Sequence, residues 1–126
     1  MLEHFITELS QELSLPLSLE KTRQDYYTVI LNPEVHLFLK DLYPGFVCRS
    51  CIAEIPIKPE LEELYILLMR ANFLGQGTKG AVLAMDEHVK HILLILSVPE
   101  EINYRLFKER VEDFVNYLYY WKNKIT

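Results

Sequence analysis

Three short segments of strand character follow one another between residues 26 and 55, and this succession constrains the fold more than any other feature of the chain. The segments span residues 26–31, 35–40 and 46–55 and are rich in apolar, β-branched and aromatic residues. Asn32-Pro33 and Tyr43-Pro44-Gly45 supply the turns between them. A parallel pair of strands needs a crossover of about a dozen residues or more. The sequence therefore predicts an antiparallel meander.

Apolar residues recur every three or four positions in three further segments, which predicts three amphipathic helices. The first begins at Leu2 and should end near Ser14, because Pro16 follows. The second spans residues 61–73, and the third runs from about residue 103 to residue 122. The apolar stripe of the third helix comprises Phe107, Val111, Phe114, Leu118 and Trp121.

A second hairpin is predicted between the last two helices, with strands at residues 81–85 and 89–96 around Asp86-Glu87-His88. Ile92 and Leu94 should face one side of its second strand, and Leu93 the other, so this strand is apolar on both faces. We predict one α+β domain over residues 1–126, a twisted antiparallel sheet with three helices in the order α-β-β-β-α-β-β-α.

The second helix predicts a dimer. One apolar stripe passes through Leu64, Leu68 and Phe73, while Ile66 and Met69 add apolar surface outside it. A helix that is apolar on more than one face must bury both. The sheet covers one face, and we expect a second subunit on the other; a loop of the same chain is the alternative cover. The predicted dimer interface comprises Leu64, Leu67, Leu68, Met69, Val82 and Leu83.

Three glycines after this helix match the spacing of a dinucleotide-binding loop. Gly75, Gly77 and Gly80 fit G-x-G-x-x-G, but they follow a helix and precede a strand, which is the reverse of the order that a phosphate site needs. The context favours a helix C-cap at Gly75 and a tight connection with positive φ. A small nucleotide-binding protein is the less favoured alternative.

The chain contains cysteines and histidines, but their spacing does not indicate a catalytic site or a metal site. Cys48 and Cys51 lie three apart on a predicted strand, hence on opposite faces, which favours free thiols over a disulfide or a metal site. The four histidines are spread over a helix, a strand and a hairpin. We therefore expect no enzyme activity, no metal and no cofactor.

Charge and hydropathy narrow the classes of partner. A formal net charge of −5 argues against a general nucleic-acid binder. The longest apolar run, residues 92–96, is far shorter than the roughly 20 residues that cross a bilayer. Glu3, Glu8 and Glu12 argue against a signal peptide. We expect a cytoplasmic protein without a membrane span.

Two segments resemble a known family. Residues 71–78 (Ala-Asn-Phe-Leu-Gly-Gln-Gly-Thr), residues 80–83 (Gly-Ala-Val-Leu) and Met85-Asp86 resemble the central segment of the class I chaperones of bacterial type III secretion, the Tir chaperone (CesT and SycE) family. Residues 112–115 (Glu-Asp-Phe-Val), followed by Tyr120-Trp121, resemble the closing helix of that family.

The resemblance implies a chaperone that binds the N-terminal region of a secreted effector or gate protein and keeps it export-competent. It also implies pairing through the second helix and the strand after it, in a homodimer or a heterodimer. Lys79 departs from the family, which often has a glycine there. An adaptor or regulator of the same fold working outside secretion is the alternative. The partner contacts that the resemblance implies are Phe5, Leu9, Leu13, Tyr27, Val29 and Phe38.

Overall fold

The computed structural model describes residues 1–55, 61–73, 80–86, 88 and 90–125. Its elements confirm the predicted α+β fold and the order α-β-β-β-α-β-β-α. The helices and strands are α1 (Leu2–Glu12), β1 (Tyr27–Asn32), β2 (Val35–Asp41), β3 (Phe46–Glu54), α2 (Leu61–Asn72), β4 (Val82–Met85), β5 (His91–Val98) and α3 (Tyr104–Ile125).

The five strands form one antiparallel sheet in the order β1-β2-β3-β5-β4. The first three form the predicted meander. The second hairpin joins it through β5, which pairs with β3, so β4 lies at an edge and β1 at the other. Gly45, in the turn before β3, has φ +86°, and a Cβ there would lie 1.9 Å from the Val98 carbonyl oxygen. Glycine is therefore required in this turn.

One face of the sheet forms the hydrophobic core. The strands alternate, so that every second side chain is buried, as the period of two predicts. The buried side chains on this face include Tyr27, Val29, Val35, Leu37, Leu39, Phe46, Cys48, Leu83, Ile92, Leu94 and Leu96. Cys48 is buried and Cys51 is exposed, which confirms that the two thiols lie on opposite faces; both are free.

Helices α1 and α3 cover this core face. All five residues of the predicted α3 stripe are buried. The Phe107 ring lies 5.2 Å from that of Phe5 on α1 and 5.0 Å from that of Phe46 on β3, measured between ring centroids. These contacts join both helices to the sheet. Helix α1 was predicted to end near Ser14, but it ends at Glu12, and Leu13 is 50% exposed.

Helix α2 packs beside the edge strand β4. Leu64, Leu68 and Ala71 of α2 are buried in the core. Phe73 was predicted to continue this stripe, and that prediction is wrong: the residue follows the last residue of α2 and is 66% exposed. The predicted C-cap at Gly75 and the turn at Gly77 lie outside the described residues. In the described part of the chain, none of the helices combines the length and apolar content that crossing a membrane requires.

Candidate partner-binding surfaces

The six predicted partner contacts divide into buried and accessible residues. Phe5, Leu9, Tyr27 and Val29 lie in the hydrophobic core, where they are at most 7% exposed. Leu9 nonetheless lines a surface groove. Leu13 is half exposed, and Phe38 is half-buried on the opposite face of the sheet.

The groove lies between α1 and α3. Leu9 and Leu13 line it from one side, Val111 and Val115 from α3, and Leu31 from β1, around a volume of about 310 Å³. Lys108 donates a hydrogen bond to Glu12 at 2.6 Å and ties the end of α1 to α3. This contact lowers the pKa of the Glu12 carboxyl. The groove is thus an apolar depression between α1 and α3, and the Lys108–Glu12 ion pair holds these two helices together.

A run of alternating leucines continues from this groove. Leu13, Leu15, Leu17 and Leu19 alternate with serine, proline and serine between the end of α1 and β1. Leu15 packs against the core, while Leu17 and Leu19 are 48% and 38% exposed. Leu13 is the one residue of this segment among the predicted partner contacts. The period of two in this segment was the signal that would have revealed the surface.

The outer side of β1 is partly open. The Thr22 N–H donates to the Tyr26 carbonyl at 2.8 Å, and Lys21 forms an isolated bridge with Tyr27. Backbone groups alternate between the two sides of a strand, so Thr28 and Ile30 also point their N–H and C=O groups outward. On this outer side, the described part of the chain pairs with β1 only through the bridge at Lys21.

The second face of the sheet carries no helix in the described part of the chain, because the buried residues of all three helices belong to the core. We call it the helix-free face. One cross-strand row runs across it from edge to edge. The members of this row are Thr28, Phe38, Arg49, Ile95 and Val82. Four are half-buried, and Val82 is 51% exposed. The row connects Phe38, a predicted partner contact, to Val82, a predicted dimer contact.

Cations and aromatic rings meet on this face. The Arg49 guanidinium carbon lies 4.4 Å from the centroid of the Tyr26 ring and 5.9 Å from that of Phe38. Lys40 Nζ lies 5.7 Å from the Tyr26 centroid. Such distances are in the range of cation–π attraction. Their proximity depends on strand register, so no local sequence pattern indicates that these residues lie together.

The predicted dimer residues divide in the same way as the partner contacts. Leu64, Leu68 and Leu83 are in the core, Leu67 is half-buried, and Met69 and Val82 are exposed. Phe73, which is exposed, was not among the predicted interface residues. Ile66 and Met69 share one side of α2, and Phe73 lies just beyond the end of this helix, four residues after Met69; their exposures are 45%, 73% and 66%. We call this the outer face of α2.

The second hairpin holds a short polar cluster. Asp86 accepts hydrogen bonds from the backbone N–H groups of Lys90 and His91, and its other oxygen lies 2.8 Å from His91 Nδ1. These contacts lower the pKa of Asp86 to about 2, the His91 ring having the largest effect. Within the described residues, no group of three or more histidine, cysteine or acidic side chains could hold a metal ion.

Comparison with known proteins identifies related sequences and folds. A sequence profile of the Tir chaperone protein (CesT) family matches residues 4–122. A chain in the crystal structure of the ExsC–ExsE complex superposes with a TM-score of 0.77 at 14% identity, over 97% of this chain and 91% of the other. A chain in the structure of the HopA1–SchA chaperone–effector complex gives 0.72 at 14% identity, over 96% and 92%. No curated protein sequence matches significantly.

Proposed function

The chain belongs to the Tir chaperone protein (CesT) family, and on that premise we propose that it binds the N-terminal region of a protein exported by type III secretion and keeps that region export-competent. Two solved structures with this fold are complexes: ExsC with ExsE, and the chaperone–effector pair HopA1–SchA. The role is one of binding in the bacterial cytoplasm, without catalysis and without a cofactor.

The observation that carries this proposal is the apolar surface beside α1. Leu13, Leu17 and Leu19 are exposed, and the first of them lines the groove between α1 and α3. A run of exposed apolar residues that adjoins an apolar groove is typical of a protein-binding surface. An extended partner segment would place alternate side chains in such a groove. Leu13 and Phe38 remain the accessible members of the predicted partner contacts.

The open side of β1 offers a second means of holding an extended segment. The outward backbone groups of Thr28 and Ile30 would pair with a partner strand, as in other proteins that bind peptides by strand addition. Backbone pairing is independent of the partner's side chains, while the groove selects apolar ones. Together they suit a segment kept extended before export. Ordering that segment costs entropy, so the interface must be large for its affinity.

The proposed chaperone is a dimer that pairs through the outer face of α2. Ile66 and Met69 on this helix and Phe73 just after it leave a large apolar surface, and Val82 and Met85 on the edge strand are exposed as well. A second subunit would remove this surface from water, which stabilises association in proportion to the apolar area buried. The proposed interface therefore keeps Leu67, Met69 and Val82 from the sequence prediction and adds Ile66 and Phe73.

A secretion assay tests the proposed function. We expect that deleting the gene lowers both the cellular level and the secretion of one type III substrate, and that the wild-type gene restores them. A Leu17→Asp variant should fail to restore secretion, because it places a charge in the apolar run. The control is Ser18→Asp, which introduces the same charge at the neighbouring polar position. Normal secretion with Leu17→Asp would contradict the proposed surface, and a partner that is never secreted would favour the adaptor.

A further inference from the structure

The helix-free face carries a cation that the described part of the chain does not neutralise. Arg49 is half-buried and contacts the rings of Tyr26 and Phe38. Each ion pair in the described residues involves other side chains, and neither Arg49 nor Lys40 takes part in one. The rings restrict the guanidinium without satisfying its N–H donors, of which arginine has five in a planar fork.

Charge is segregated around this side chain. The row that contains Arg49 has Thr28, Phe38, Ile95 and Val82 as its other members, none of them acidic. In the adjacent row, Lys40 pairs with Val47, and Val47 with Ser97. The two rows therefore carry two positive charges and no carboxylate, in a chain whose formal net charge is −5. Such a local excess of positive charge selects a negatively charged ligand.

We propose that Arg49, assisted by Lys40, binds the carboxylate of an aspartate or glutamate in an extended segment of the secreted partner. The apolar side chains beside it, Phe38, Val47 and Ile95, would contact apolar residues that flank the carboxylate. This inference rests on the proposed function, because it assumes that the chain binds an extended segment. It adds the chemistry of that segment: an acidic residue between apolar ones, lying on the helix-free face.

The position of Arg49 suits carboxylate recognition. Arginine forms bidentate hydrogen bonds to a carboxylate, which combine charge with fixed geometry. Because Arg49 is half-buried, salt screens its charge less than that of a fully exposed cation. The contacts with Tyr26 and Phe38 hold the side chain before the ligand arrives, which reduces the entropy lost on binding.

A second copy of this chain is a poorer occupant. In a symmetric dimer that used this face, the same patch of both subunits would come together. Arg49 and Lys40 would then approach the same two cations of the other subunit, and like charges at an interface are unfavourable. The outer face of α2 has no such conflict. Charge complementarity therefore assigns the helix-free face to an acidic partner segment.

The test compares two peptides by NMR titration of the full-length, ¹⁵N-labelled protein. The probes are acetyl-Ser-Val-Glu-Val-Glu-Val-Ser-amide and the same peptide with glutamine in place of glutamate. We expect the glutamate peptide to shift the Arg49 side-chain Nε–Hε signal and the backbone amides of Phe38 and Ile95. The glutamine peptide should bind about tenfold more weakly or worse, because it lacks the charge. Arg49→Met should abolish this difference, and Arg105→Met, at an exposed cation on α3, should keep it.

Three results would overturn the inference. Equal affinity for the two peptides would show that no carboxylate is recognised. Shifts confined to the groove between α1 and α3 would place the acidic peptide elsewhere. Concentration-dependent shifts at Arg49 without peptide would assign this face to a second copy. If Arg49→Met does not fold, the affinities of the two peptides for the wild-type protein still test the inference. If both peptides bind alike while Leu17→Asp abolishes secretion, this inference fails and the proposed function stands.

Discussion

The side-chain amide of Asn72 makes two hydrogen bonds to the backbone of Leu83. Its Nδ2 donates to the Leu83 carbonyl at 2.8 Å, and its Oδ1 accepts from the Leu83 N–H at 2.8 Å. Asn72 is the last residue of α2, and Leu83 lies on the edge strand β4. One side chain thus occupies both outward backbone groups of an edge residue, as a neighbouring strand would. This contact fixes α2 on the sheet and closes part of the β4 edge.

Replacing Asn72 tests this contact. Asn72→Ala should lower the free energy of unfolding by about 1–3 kcal/mol, because two backbone groups that are partly buried lose their partners. Asn72→Asp should destabilise as well, since a carboxylate has no donor for the Leu83 carbonyl. Urea denaturation measures both. Asn123→Ala, at an exposed position of α3, is the control, and equal stability of Asn72→Ala and wild type would contradict the proposed role.

A charge on the outer face of α2 should prevent dimer formation. Met69 is 73% exposed in the single chain, so Met69→Asp costs little in folding but would bury an unpaired charge in the proposed interface. Light scattering should give the mass of a monomer for Met69→Asp and of a dimer for Met69→Leu. A dimer from Met69→Asp would place the interface elsewhere. Leu68 is a poor probe of the interface, because it lies in the core.

Acid should weaken the second hairpin through Asp86. Its pKa is about 2 in the folded protein, against a usual value of 3.8. A carboxyl with a lowered pKa stabilises the fold above the unfolded pKa and loses that contribution as the pH falls through the folded one. The free energy of unfolding should therefore fall between about pH 4 and pH 2, and Asp86→Asn should flatten that dependence. Asparagine keeps an acceptor for the Lys90 N–H. Glu100→Gln is the control, and an unchanged pH dependence in Asp86→Asn would refute the assignment.

The two thiols should differ in reactivity. Cys51 is exposed, while Cys48 is fully buried; burial raises the pKa of both thiols, and raises that of Cys48 far more. A maleimide should label Cys51 in the native protein and Cys48 only after denaturation, since the thiolate is the reactive form. Mass spectrometry of the labelled protein measures this. Cys48→Ser should keep the native labelling and Cys51→Ser should lose it; rapid native labelling of Cys51→Ser would show that the core opens readily.

The order and type of the elements were predictable because the periods of strands and helices differ. The buried face of β2 follows from the alternation of Val35, Leu37 and Leu39. The buried face of α3 likewise follows from the stripe that contains Phe107. The strand order was not predictable in the same way. Placing β5 next to β3 depends on packing between segments far apart in the chain, which no local pattern encodes.

The candidate site was predictable only in part. Periodicity shows which residues share a face, but it does not show whether the chain itself or a partner covers that face. Phe5 and Val29, which the family resemblance assigned to a partner, are core residues of the single chain. Phe73 was predicted to continue the stripe of Leu64 and Leu68, although it lies beyond the end of α2. The contact of Arg49 with Tyr26 follows from the register of three strands, which turn geometry sets.

The central claim is that this chain holds the N-terminal region of a secreted protein in an extended form. The most direct measurement is limited proteolysis of the complex, purified with the tagged, full-length chain from its native bacterium, with mass spectrometry of the protected fragment. We expect one secreted protein, protected over a continuous stretch near its N-terminus that is cleaved when the chain is absent. Protection of a folded internal domain, or retention of non-secreted proteins alone, would contradict it.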